Sequence, residues 1–149
     1  MRASTPIQTP RCRRHRAMAG AAAIEFALVF PLLLFVVFGA IEFATALYDK
    51  TVITNASREA ARAGVILRSP PMTSTQIKAV ATNYCQNRLV SYGAASTCSY
   101  PGTITACAAS GSQLTVQVQY TFTGLLLGPL LAPFTGPLTI NAATTMLCE

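Results

Sequence analysis

Histidine is nearly missing from this chain of 149 residues: there is one, His15, close to the start. Acids are also scarce. There are five, and only Asp49, Glu59 and Glu149 follow the long apolar stretch. General acid–base chemistry calls for a histidine or a close pair of carboxylates. A Ser–His–Asp or Cys–His arrangement needs a histidine beside its nucleophile. Neither set can be assembled from residues beyond position 49, so the expectation is a protein that is not an enzyme and takes no cofactor. No Cys-x-x-Cys pair is present, and the lone histidine lies far from the later cysteines, which argues against a zinc site. No metal is expected.

The positive charge is confined. Of eleven basic residues, Arg2, Arg11, Arg13, Arg14 and Arg16 lie in the first sixteen positions. The remaining basic residues, from Lys50 to Arg88, nearly cancel the five acids. A basic arm for nucleic acid is the competing reading of the arginines. It is set aside because an apolar run begins a few residues later, so no nucleic-acid partner is expected. The pair Arg13-Arg14 is not followed by the residues of a twin-arginine signal and reads as an orientation cluster.

What the chain has in quantity is apolar sequence. Residues 26–41, between Glu25 and Glu42, carry no charge. The apolar reach from Ala21 to Leu47 makes about 40 Å of helix at about 1.5 Å per residue, against a bilayer core of about 30 Å. This predicts one membrane-spanning helix. The arginines before it, with Asp49 and Lys50 cancelling behind it, place the N-terminus in the cytoplasm and residues from about 49 onward outside. An ordinary secretory signal, cut after Ala44-Thr45-Ala46 to start the chain at Leu47, is the competing reading. It fits poorly, because the apolar region is longer than such signals use and Glu42 lies just before the cut.

The chain divides into a basic leader over 1–20 without regular structure, a transmembrane helix over 21–47, a helical extension over 48–68 and a small domain over 69–149. Pro31 lies within the span and is expected to kink it. Gly39 and Ala40 offer a small face for helix contact. In the extension, Val52, Ala56, Ala60, Ala63 and Leu67 recur at helical steps, with Arg58 and Arg62 on another face. Ser69-Pro-Pro breaks the helix by Arg68. A second helix is expected over 76–91, capped by Ser74 or Thr75, with Ile77, Val80, Ala81, Tyr84 and Leu89 inward and Cys85 beside that face. A short strand is expected over 102–108, a turn at Gly111-Ser112, a half-buried strand over 114–122 and a further strand over 138–148. Residues 124–137 are apolar but broken by glycine and proline. They read as a loop folded over the sheet or helix, or as an exposed patch that meets the membrane or another component. The fold class is α+β.

Cys12 precedes the span. Cys85, Cys98, Cys107 and Cys148 follow it, an even number in an oxidising compartment. Three connectivities are open. Proximity in the chain and the order of the strands favour Cys85–Cys98 with Cys107–Cys148.

Two stretches carry a resemblance. Residues 17–26 resemble a prepilin peptidase site, with Gly20 before the cut, Ala21 after it, Glu25 five residues past the glycine, and Phe26 next. The competing reading is a plain small residue before a helix, with Glu25 reaching to the interface. Ile-Glu-Phe-Ala-Leu-Val-Phe-Pro-Leu-Leu-Leu followed by Thr-Asn-Ala-Ser-Arg-Glu-Ala-Ala-Arg-Ala-Gly resembles the TadE family of minor pseudopilins. Gly20, Glu25 and Phe26 match that family's processing motif. Pro31, Asn55, Ala56, Arg58, Ala60, Arg62 and Ala63 match its second block, with Ser57 and Ala60 as small departures. The resemblance implies a pilin-like layout and a part in the Tad (tight adherence) system, which assembles Flp-type pili. It implies other pilin-like subunits, the assembly machinery and a prepilin peptidase as partners, and the inner membrane as location, with possible entry into the pilus. A major fibre subunit is the weaker variant, since those subunits are little more than the helix. The reading from a different class is an uncleaved, membrane-anchored extracytoplasmic binding module unrelated to pili.

Overall fold

A computed structural model of the chain describes residues 14–66, 68–86, 88–93 and 97–149. The elements in order are α1 (Arg14–Val65), α2 (Ser74–Gln86), β1 (Gln113–Phe122), α3 (Leu127–Thr135) and β2 (Leu138–Leu147). The architecture is α+β: a long N-terminal apolar helix, a second helix, then an antiparallel pair of strands. Residues up to Val37 form one unit, and Phe38–Glu149 form a second.

The described residues of the first unit are helical. From Gly20 to Val37 they are exposed, including Leu28, Phe30, Leu32 and Phe35. Apolar side chains all round a helix, unburied by their own chain, mark a helix that needs another apolar medium. Within the described residues one helix, Gly20–Val65, is long and apolar enough to cross a membrane. The helical backbone continues on both sides of Pro31.

The second unit is built on the last turns of α1. Ile53, Ala56, Ala60 and Ala61 are fully buried there; of the face that the spacing predicts, Val52, Ala56 and Ala60 are buried and Ala63 is half-buried, while Arg58 and Arg62 are exposed. The strands pair antiparallel, from Gln113 opposite Leu147 to Phe122 opposite Leu138. Along β1 the side chains Leu114, Val116, Val118, Tyr120 and Phe122 are buried and alternate with more exposed ones, the period of a half-buried strand. They meet the small-residue face of α1 and the inner face of α2, Ile77, Ala81 and Cys85, in one core. Gly64 marks a close approach within this core. A Cβ there would lie 2.6 Å from Leu114 Cδ2 and 2.9 Å from Ile77 Cδ1.

Disulfides join Cys85 to Cys98 and Cys107 to Cys148, the pairing that chain proximity favours. The second closes the larger loop, and the backbone completes the tie. Gly111 N–H donates to Cys148 O, Cys148 N–H donates to Ser112 O, and Glu149 N–H donates to Val65 O at the end of α1.

Five expectations need correction. The helix begins at Arg14, so residues 14–20 are helical rather than irregular; the rest of the leader, with Cys12, lies outside the described residues, as does Leu67. Helix α2 is Ser74–Gln86, not 76–91. Past its end, Arg88 N–H tightens onto Cys85 O three residues back, and Val90 gives its N–H to Asp49 instead of to the helix. Its cap is Thr73, not Ser74 or Thr75. Thr73 Oγ1 accepts from Gln76 N–H while Gln76 Oε1 accepts from Thr73 N–H, a reciprocal capping box. Residues 102–108 form no strand; the buried residues are Ile104 and Cys107, three apart, a spacing that no strand face provides. The only ladder contact in that region is Ser99 with Gln119. Residues 124–137 hold the short helix α3 rather than only a loop.

Candidate functional site

Two groups of residues on α1 stand out, at different places along the chain. The first is the stretch that resembles a processing site. Gly20, Ala21, Glu25 and Phe26 are all exposed, on consecutive turns of α1. A Cβ on Gly20 would meet nothing within 4 Å, so its smallness is not required by packing. Glu25 makes no hydrogen bond or ion pair among the described residues, and the Phe26 ring stacks on Phe30 with centroids 5.1 Å apart. Residues 21 and 25 are one turn apart on the same face.

The second group lies where the apolar run ends. Glu42 is buried, and its carboxylate turns onto the start of α3. Oε1 accepts from Leu126 N–H, and Oε2 accepts from Gly128 N–H at 3.3 Å. The first N–H groups of a helix have no partner within it and carry the positive end of its dipole. Leu126, in the cap position, supplies no side-chain acceptor. Glu42 therefore caps α3 from another element. Gly124 is shaped to this contact. A Cβ there would stand 2.5 Å from Glu42 Oε2 and 2.8 Å from Gly128 N. At the other end of α3, Gly136 has φ +71° and gives its N–H to Ala132 O.

Two turns further along α1, Asp49 is fully buried. Its Oδ1 accepts from Val90 N–H at 2.9 Å, and Oδ2 has no hydrogen-bond partner among the described residues. Burial raises its pKa above the ordinary 3.8, and the Val90 hydrogen bond only partly opposes this. Tyr120 lies close. Its phenol is likewise pushed up by burial and then by the Asp49 charge, and its hydroxyl donates to Val90 O at 3.4 Å. Tyr92 donates to Thr45 Oγ1 at 3.2 Å. The segment 88–92 is thus laid along the turn of α1 between Thr45 and Asp49.

The second motif block is mainly packing. Ala56 and Ala60 are fully buried, Ala63 and Asn55 are half-buried, and Arg58 and Arg62 face out. Ser57, the departure from alanine, is buried with its hydroxyl 2.7 Å from Thr144 Oγ1, so it links α1 to β2. Pro31 is exposed within the helix. The four cysteines are paired. No cluster of three metal-ligating side chains occurs among the described residues. Glu42 as a cap and Asp49 as a buried tie were missed in the sequence. The one available signal was that both acids lie on one face of the helix, seven residues apart.

Replacing Glu42 by Ala leaves the α3 donors without their acceptor and costs about 0.5–2 kcal/mol, the range for a lost cap. Hydrogen exchange at the Leu126 and Gly128 amides will speed up selectively in E42A. Asp49 sets a pH dependence. Its folded pKa lies above the unfolded 3.8, so it contributes most to stability when protonated, and that contribution is lost as pH rises from about 3.8 through the folded pKa. Thermal unfolding of D49N will show this acid-side rise flattened relative to the parent.

With this geometry in place, comparison with known proteins is informative over one stretch. Residues 20–62 match the family described as TadE-like protein. No curated protein and no solved structure matches the chain. The match begins at Gly20, runs through the exposed apolar helix and ends at Arg62, within the buried small-residue block. From Gly20 to Arg62 the chain is similar to that family, over the same residues that carry the resemblance of its two motifs.

Proposed function

We propose that the chain is a membrane-anchored minor pseudopilin of a Tad machine that assembles Flp-type pili. In this reading it is inserted with its N-terminus in the cytoplasm, cut after Gly20 by a prepilin peptidase, and held in the inner membrane by the helix that starts at Ala21. It then packs laterally against other pilin-like subunits, within the membrane or in the pilus. It carries out no catalysis.

One observation carries the reading: the TadE-like match over residues 20–62 covers both the exposed apolar run of α1 and the buried small-residue block that follows it. Several facts of the chain support it. A helix exposed on every side from Gly20 to Phe38 must be covered by lipid or by neighbouring helices. A lone carboxylate such as Glu25 is costly inside a membrane boundary unless it finds a partner. Cleavage after Gly20 would supply one, a new α-amino group at Ala21, one turn from Glu25 in the same subunit or in a neighbour. The two disulfides suit an extracytoplasmic compartment.

The test is the intact mass of the protein made with and without a cognate prepilin peptidase. The expected species begins at Ala21, forms only with the peptidase, and is lost in G20L. That variant is a clean probe because a larger side chain at position 20 meets no neighbour. Full-length protein under both conditions would overturn processing and leave an uncleaved anchored binding module. A chain beginning at Leu47 would make the apolar helix a secretory signal.

A further inference from the structure

The unit Phe38–Glu149 leaves apolar side chains exposed where a water-facing domain would carry charge. Leu125, Leu126, Leu130, Phe134 and Leu138, on α3 and its flanks, are all exposed, and Phe134 is 87% exposed. A patch of that kind marks an interaction surface. No Asp, Glu, Lys or Arg occurs anywhere from Leu89 to Cys148. Beside α3 lies a groove of about 670 Å³, walled by Phe43 and Ala46 of α1, Phe122 and Leu138 of the strands, and Pro129 and Ala132 of α3. The one ionisable group that lines it is Glu42, whose carboxylate is occupied by the Leu126 and Gly128 N–H groups.

What covers this face follows from its continuity with the end of the span. Phe38, Ile41, Phe43 and Leu47 are exposed on α1 within the same unit. Phe43 is both part of that exposed surface and a wall of the groove. The apolar surface that ends the membrane helix and the apolar surface of α3 therefore adjoin. Tyr48 and Tyr92 are exposed close to this level, and the Tyr92 hydroxyl is held by Thr45. Aromatic rings with a polar tip favour the headgroup region of a bilayer.

We propose that α3 and the groove beside it are seated in the bilayer leaflet at the Leu47 end of the span, with Leu125, Leu126, Leu130 and Phe134 among the lipids and acyl chain in the groove. The partner is a lipid surface, recognised through apolar burial. No basic side chain belongs to the patch, so anionic headgroups add little. Glu42 then lies under lipid, and the cap it provides satisfies both its own charge and the donors of α3. The inference rests on the apolar helix being inserted and not on the pilus assignment.

The chain has no tryptophan, so single substitutions give single indole reporters. The probes are F134W on the patch, V36W on the exposed face of the span and A109W in the exposed turn at the far end of β1. Each full-length variant is reconstituted into phosphatidylcholine vesicles with and without brominated acyl chains. Phe134 is so exposed that F134W disturbs no packing. Emission of V36W and F134W will be blue-shifted and lost in bromolipid, and A109W will keep its emission. The F134W quenching will persist at high salt and will not grow when anionic lipid is added. F134W emission that matches A109W would overturn the proposal. So would a blue shift without quenching, which would mean that protein, such as a second copy of the chain, covers the patch. Quenching that vanishes at high salt would contradict apolar seating. If V36W also stays bright, the span is not inserted, and the anchoring reading falls with the proposal.

Discussion

How closely the strands and α2 can approach α1 decides whether the second unit folds at all. A two-stranded antiparallel pair is marginal in water by itself. Here it is completed by the helix, whose inner face is reduced to Ala56, Ala60, Ala61 and Gly64 so that Leu114 and Ile77 can reach it. The C-terminus returns to the end of α1, where Glu149 N–H meets Val65 O, and the Cys107–Cys148 disulfide fixes that return. The unit Phe38–Glu149 is thus not a module hung on an anchor. Its core includes the same helix that carries the anchor's apolar run.

The acids on that helix serve the same arrangement. Glu42 and Asp49 share a face, and each holds a backbone N–H from a segment distant in sequence: α3 for Glu42, the chain after α2 for Asp49. A buried carboxylate is costly without such donors. Glu42 has two. Asp49 has one, with its second oxygen lacking a hydrogen-bond partner among the described residues, and its raised pKa is the consequence. Each acid trades solvation for position, and together they fix what lies beside α1 from the groove to the base of the core.

Features with a local cause were legible in the sequence. The uncharged run between Glu25 and Glu42 announces the apolar helix. The alternation over 114–122 announces β1, because a strand buries every second residue. Of the three connectivities open to four cysteines, chain proximity and strand order favoured the one observed. The Thr73 cap also has a local cause, since Thr73-Ser-Thr-Gln76 carries the capping-box pattern, although Ser74 and Thr75 were the expected caps. Features with a distant cause were not legible. Two prolines and bounding glycines hide α3, whose cap comes from Glu42 on another element. The stretch 102–108 has the residue types of a strand, but a disulfide at Cys107 and burial of Ile104 set its course. Of the candidate site, the motif at Gly20, Glu25 and Phe26 was visible as spacing, whereas the Glu42 contact needed the fold.

The central claim is that one helix, α1, carries the apolar run and also supplies the core of the unit Phe38–Glu149. Hydrogen exchange along α1, read by mass spectrometry on the full-length protein in bilayers, tests it most directly. Protection reports the opening free energy of each segment. The account predicts continuous protection from Phe38 to Val65, with no weak point between the apolar run and the buried face around Ala56 and Ala60. Rapid exchange over Ala44–Tyr48, separating a protected span from a protected domain, would contradict it. That result would make the chain a hinged anchor and an independent domain.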